Sequence, residues 1–283
     1  MDATVNKVDD LELKLLLEAL YQKYHYDFRG YSMASIRRRM KLAKDVFNCT
    51  SYSMLQDKML HDPATLPRLL SYLTVQVSEM FRDPHYFKTI REKVIPHLRT
   101  YPSLKVWIAG CSAGEELYSL SILFREEGLE KKTMFYATDI NQEALDKAEA
   151  GVYARDRMQL FSENYQKAGG KSSLADYYTS AYGAATFDKT LRQRTVFSDH
   201  SLVTDAVFGE MNLISCRNVL IYFDRELQDR AIGLFKDSLM RKGFLGLGAK
   251  ENLRFSKHMN EFEEFSRDDR IYQKMGVIRS DPI

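Results

Sequence analysis

Two hydrophobic rhythms divide this chain. Up to about residue 73, apolar residues recur every three or four positions. Leu13, Leu16, Leu17, Leu20 and Tyr24 form one such face, with Asp9 and Asp10 placed to cap its helix. Ser32 precedes a second face made of Ile36, Met40 and Phe47. Leu55 with Met59, then Leu66, Leu69, Leu70 and Leu73, give two shorter ones. The pattern predicts a small helical bundle over residues 1–73. Asp83-Pro84, a cap followed by proline at the first helical position, then opens a helix with Phe87, Ile90, Val94 and Leu98 inward. Residues 74–100 are expected to form a linker and this connecting helix.

Beyond Leu104 the rhythm changes to short, nearly continuous apolar runs. Residues 105–109 and 134–139 read as buried strands, and residues 116–127 between them as a helix with Leu117, Leu120, Leu123 and Phe124 inward. Asn141 is placed to cap a further helix. Residues 213–224 form another strand-like run, directly before a helical pattern at 225–241. Strands alternating with helices imply a parallel sheet, so residues 101–283 are expected to form a doubly wound α/β domain. Between 171 and 198 the alternation fails. Tyr177, Tyr178, Tyr182, Phe187 and Val196 surround Gly183, which predicts a small inserted antiparallel β-subdomain. Residues 243–248 and 270–274 are expected to supply two final strands.

Composition narrows the class. The chain has 283 residues, 45% hydrophobic and 28% charged, as expected of a soluble globular protein with a sizeable core. A net charge of +2 leaves any electrostatic targeting to local clusters. Cys49, Cys111 and Cys216 are too few and too scattered for a disulfide framework or zinc spacing, and point to a reducing, cytoplasmic setting. No apolar run approaches a membrane span, and the N-terminus lacks the basic and apolar regions of an export signal.

Four segments carry the chemistry. Residues 109–116, Ala-Gly-Cys-Ser-Ala-Gly-Glu-Glu, lie between a strand and a helix. The segment reads three ways: a plain tight turn, a loop that lets backbone approach a ligand, or the Gly-x-Ser-x-Gly elbow of a serine hydrolase. In the last case Ser112 is central, with His200 or His258 available later in the chain. The third glycine of a dinucleotide fingerprint is missing. Asp139 ends the next strand, where it is either a local cap or an acceptor for both ribose hydroxyls of an adenosine. Residues 72–87 include Gln76, Ser78 and Arg82; an isolated Arg82 would read as a surface ion pair. Residues 215–224, Ser-Cys-Arg-Asn-Val-Leu-Ile-Tyr-Phe-Asp, place Arg217 and Asn218 at a strand end, where ligands of open α/β sheets bind.

In order and spacing these four segments resemble the chemotaxis receptor methyltransferases, which use S-adenosylmethionine to methylate receptor glutamates. The resemblance covers nearly the whole chain. It implies an N-terminal helical domain, a sheet domain that binds S-adenosylmethionine and releases S-adenosylhomocysteine, and the inserted β-subdomain. Carried over, it implies cofactor contacts from Gln76, Ser78, Arg82, Glu115, Asp139, Ser201, Leu202, Arg217 and Asn218. It implies that Arg82 and Tyr222 face the transferred methyl. Gln76 and Ser78 stand where the family usually has asparagine and threonine, and Ser201-Leu202 where it often has Asn-Leu. No metal is implied.

Arg37, Arg38, Arg39, Lys41 and Lys44, with Arg29, form a basic run with no acidic residue among Arg37–Arg39. Alone it reads as a solvated face or a nucleic-acid patch. The resemblance makes it the surface that meets the receptor's acidic helical bundle, and no stacking aromatics beside it favour nucleic acid. Some family members also hold a peptide from the receptor C-terminus on the β-subdomain. The insertion here is shorter and has only Gly183, so independence from such a tail is expected. A monomer acting as a protein-glutamate methyltransferase is the expectation. A serine esterase built on Ser112 and a cofactor-sensing module without turnover are the alternatives.

Overall fold

The structure is a computed structural model that describes residues 2–74 and 78–276, residues 2–6 by backbone alone. It comprises two compact units. One holds the residues up to 76 together with Tyr222–Gln228, and the other holds residues 77–221 and those after 228.

The helical unit contains α1 (Asp2–Tyr24), α2 (Met33–Val46), α3 (Tyr52–His61) and α4 (Thr65–Leu73). The expected apolar faces are inward: Leu13, Leu16, Leu17, Leu20, Ile36, Met40, Leu55, Met59, Leu69 and Leu73 are buried. Each such side chain stabilises by roughly 1.5–3 kcal/mol relative to exposure. α1 begins upstream of Asp9 and Asp10, so these do not cap it; Asp10 instead accepts two hydrogen bonds from Arg37, at 2.7 and 2.8 Å. Tyr222–Gln228 completes the unit. Tyr31 and Phe223 form an antiparallel bridge, Ser32 N–H donates to the Tyr222 carbonyl at 2.8 Å, and Asp224 N–H donates to the Gly30 carbonyl at 2.8 Å.

The second unit is built on a seven-stranded sheet. Its strands are β1 (Leu104–Ala109), β2 (Thr133–Asp139), β6 (Thr195–Asp199), β7 (Met211–Cys216), β8 (Leu239–Leu247), β9 (Phe262–Ser266) and β10 (Ile271–Lys274). They lie in the order β6-β2-β1-β7-β8-β10-β9, parallel from β6 to β8 and antiparallel at β10 and β9. The chain lays down β1, β2 and β6 in one direction and then β7 and β8 in the other. The order therefore reverses beside β1, which creates a crevice at the strand ends. Both faces of β1 are covered, which explains its continuous apolar run. Val106 and Ile108 join the core that holds Leu117, Leu120, Leu123 and Phe124 of α7 (Glu115–Glu126). Trp107 packs instead on Phe208 and on Phe235 of α10 (Arg225–Ser238).

Several expectations change here. The segment after Pro84 does not stand between domains: Phe87, Ile90, Val94 and Leu98 belong to the core of the sheet unit. It contains a π-helical turn, Ile90–Val94, closed by Ile95 N–H on the Ile90 carbonyl. Pro96 has no N–H, and its ring would clash with the Glu92 carbonyl in a regular α-helix, so the wide turn relieves it. The small sheet is β3 (Val152–Ala154), β5 (Ala184–Phe187) and β4 (Tyr178–Ala181), in the order β3-β5-β4. The insertion thus begins upstream of 171. Thr195–Asp199, placed within it by sequence, is an outer strand of the main sheet.

Candidate cofactor and transfer site

Glu115, Asp139, Ser201, Leu202, Arg217 and Asn218 lie at or shortly beyond the ends of the parallel strands β1, β2, β6 and β7. After β1 the chain curls over β2: Gly110 and Cys111 N–H both donate to the Thr138 carbonyl, at 2.8 and 2.9 Å. Gly110, Ser112 and Gly114 all take positive φ, at 74°, 51° and 90°. Close packing also excludes larger residues at the glycines. A Cβ at Gly110 would lie 2.5 Å from Val219, and one at Gly114 would lie 2.8 Å from Ala148.

This curl aims backbone donors at Asp139. Its Oδ2 accepts from Ser112 N–H at 2.9 Å and its Oδ1 from Asn141 N–H at 3.0 Å. Burial pushes the carboxyl above its usual range, outweighing the pull of the Ser112, Asn141 and Ile140 amides. Each carboxylate oxygen retains acceptor capacity for a ligand hydroxyl. Asn141 caps α8 (Gln142–Ala150) as expected, accepting from Ala144 N–H at 3.2 Å.

Glu115 opens α7 and is 1% exposed. Its Oε1 accepts from Arg157 at 2.9 Å, while Oε2 is buried with no partner among the described residues. Such an orphan acceptor is costly unless a donor fills the place. Arg157 also donates to the Ser78 carbonyl, so it joins two sequence-predicted residues; no motif had singled it out.

Ser201 and Leu202 follow β6, whose Asp199 stands in register beside Asp139. Ser201 Oγ accepts from Val203 and Thr204 N–H, forming a tight turn, and Leu202 is buried. Asn218 takes φ 61°, held by Glu251, which accepts from the N–H groups of Asn218 at 2.9 Å, Gly248 at 2.7 Å and Ile221 at 3.2 Å. Glu251 lies in no motif, so sequence reading missed it. The Arg217 side chain is 1% exposed and committed to protein groups: Asp83 at 2.7 Å, the Arg82 carbonyl at 2.9 Å and Glu116 at 3.1 Å. Asp83 is therefore an ion-pair partner, where a side-chain helix cap was expected. The Arg82 guanidinium has no hydrogen bond or ion pair among the described residues. Gln76 lies outside the described residues.

In the helical unit the basic run divides. Arg39 is 6% exposed, donates to the Leu73 carbonyl and stacks on Tyr222, so it does not belong to an exposed face. Arg37 is paired with Asp10, and Arg29 with Asp27 and Glu18. Lys44 lies 4.8 Å over the Tyr52 ring, while Arg38 and Lys41 are exposed.

Residues 11–74 match the CheR methyltransferase all-alpha domain, and residues 76–270 match the CheR methyltransferase SAM binding domain. The chain belongs to the CheR methyltransferase family. A Pseudomonas putida protein carrying the methyltransferase name Cher3 is 54% identical over 271 residues, covering 96% of this chain and 99% of its own. A chemotaxis protein methyltransferase of Listeria innocua is 32% identical over 68% of this chain and 71% of its own. One from Klebsiella aerogenes is 28% identical over 92% and 87%. This chain is thus a CheR-type methyltransferase with an S-adenosylmethionine-binding domain, and the serine-esterase and cofactor-sensing readings find no support. The donor set fits the cofactor: Asp139 has free acceptor capacity for two hydroxyls, and the orphan Oε2 of Glu115 suits an ammonium group. Among the described residues no helix is long and apolar enough to cross a membrane.

Proposed function

We propose that this protein transfers the methyl of S-adenosylmethionine to glutamate side chains on chemoreceptor cytoplasmic domains, giving methyl esters. What supports the reading is membership of the CheR family across both of its domains, together with Arg82, an arginine in the segment leading to the sheet with no ion-pair partner among the described residues. Asp139 holds the ribose hydroxyls and Glu115 the amino group, with Gln76, Ser78, Ser201, Leu202 and Asn218 as the remaining contacts. When bound, the cofactor supplies a sulfonium-activated methyl.

The chain needs no general base, because a glutamate carboxylate is already ionised near neutral pH. Arg82 binds and orients that carboxylate. Rate enhancement comes from positioning and exclusion of water. Exposed Arg38 and Lys41 steer the acidic receptor bundle electrostatically.

The test is transfer of tritiated methyl from the cofactor to a panel of receptor cytoplasmic domains. Label that mild alkali releases as methanol is expected of a glutamate ester. Alkali-stable label would move the reaction to another acceptor, and binding without transfer would favour a sensing module.

A further inference from the structure

We propose that Asp83, Arg217 and Glu116 form a positioning clamp that fixes the Arg82 backbone and keeps the Arg82 guanidinium free of partners among the described residues. The proposal rests on the reading of Arg82 as the anchor for the substrate carboxylate.

The segment carrying Arg82 is held in an unfavourable shape. Phe81 and Asp83, on either side of it, both take left-handed φ, at 51° and 54°. Two such residues with Cβ atoms so close together persist only when their surroundings over-determine them. Phe81 is pinned from one side. Its N–H donates to Ser119 Oγ at 2.8 Å, and its buried ring packs on Phe87 and Tyr165 at 5.2 and 5.3 Å. Asp83 is pinned from the other by Arg217.

Arg217 reaches this segment from just beyond β7. Nη2 bonds the Arg82 carbonyl and the Asp83 carboxylate together, and Nη1 bonds Glu116 in the first turn of α7. The guanidinium plane lies over the Tyr86 ring, 4.2 Å from its centre. Glu116 is fixed in turn by Ser215 Oγ at 2.5 Å, and Ser215 by the Tyr86 hydroxyl at 2.8 Å. The segment is thereby tied to both elements that flank the crevice beside β1.

The clamp also has an electrostatic effect. Asp83 is the carboxylate next to Arg82 in sequence. Arg217, almost wholly buried, takes Asp83 and Glu116 for itself. A planar guanidinium can bridge two carboxylates and a carbonyl at once, which a lysine ammonium on the same stem does with far poorer geometry. Arg82 is left with no ion-pair partner among the described residues, the state that suits an incoming carboxylate.

Asp83→Gly separates the clamp from the strain. Glycine accepts the left-handed backbone at no cost, and only the carboxylate is lost. In the full chain, Asp83→Gly is expected to lower methyl-transfer kcat about tenfold or more, with cofactor Kd from calorimetry changed less than twofold. In an Arg82→Ala background the same substitution is expected to add nothing. Amide exchange over residues 80–84 should quicken in Asp83→Gly, a readout that needs no receptor. Wild-type kcat with unaltered exchange, an equal further loss in the Arg82→Ala background, or a matching loss of cofactor affinity would each overturn the clamp. Wild-type turnover in Arg82→Ala alone would instead remove the role given to Arg82, and the clamp with it.

Discussion

The Arg39 guanidinium lies 4.4 Å from the centre of the Tyr222 ring, and its Nη1 donates to the Leu73 carbonyl. α2, the end of α4 and the returning segment Tyr222–Gln228 therefore meet at one buried cation within the helical unit. A desolvated cation–π contact is worth about 2 kcal/mol, and a charged hydrogen bond about 1.5–3 kcal/mol. Arg39→Ala should cost about 3 kcal/mol in urea unfolding. Arg37→Glu, which breaks an exposed pair with Asp10, should cost about 1 kcal/mol or less. Similar small losses at both positions would mean that Arg39 is solvated.

Reversal of the exposed cations should affect encounter with the receptor and not the fold. Arg38→Glu with Lys41→Glu is expected to leave unfolding and cofactor affinity unchanged and to reduce receptor methylation. The defect should shrink as salt rises and screens the field. Wild-type methylation at low salt would make this surface merely solvated.

If Asp139 holds the ribose hydroxyls, cofactor affinity is expected to depend on pH. Its folded-state pKa is raised by burial, so the ionised acceptor is lost at a higher pH than for an exposed aspartate. Affinity should be greatest well above that range and fall as pH is lowered into it. Asp139→Asn should bind about tenfold or more weakly at neutral pH, since a charge-assisted hydrogen bond is worth about 1.5–3 kcal/mol. Its affinity should also be flat across the same pH interval. Calorimetry from pH 5 to 8 would show parallel curves for both proteins if Asp139 makes no contact.

Ser112 donates its backbone N–H to Asp139. Ser112→Ala keeps that amide and should retain methyl transfer within a few-fold. Loss of transfer, coupled with esterase turnover by the wild type, would restore the hydrolase alternative.

The β4–β5 hairpin has four residues per strand around a Tyr182-Gly183 turn, with Tyr182 fully exposed and Gly183 at φ 77°. So short an edge offers few ladder bonds to an added strand. A peptide from a receptor C-terminus should give no measurable heat on titration, and tailless receptors should be methylated as well as intact ones. Micromolar binding would contradict this.

What was legible in the sequence follows from burial. β1, β2 and β7 were readable because strands covered on both faces are continuously apolar. β6 alternates half-buried Thr195 and Phe197 with exposed Val196, Ser198 and Asp199, and nothing local says to which sheet such a strand belongs. β9 was missed because Glu263 and Glu264 give it the polarity of a loop, as suits an outermost strand. The loop glycines, Asp139 and Asn141 stood out because turns and caps demand particular residue types. The partners of Arg39, Asp83, Arg157 and Glu251 were not legible, since a charged residue's partner is set by residues distant in sequence.

The return of Tyr222–Gln228 to the first unit has a consequence for synthesis. The four N-terminal helices emerge from the ribosome well before Phe223, which bridges Tyr31, so the Tyr31 ring waits for Phe223 to pack on it. The first unit to be translated is therefore among the last to be completed. Nascent chains stalled near residue 90 should remain open to protease within the helices, and those stalled beyond residue 260 should not.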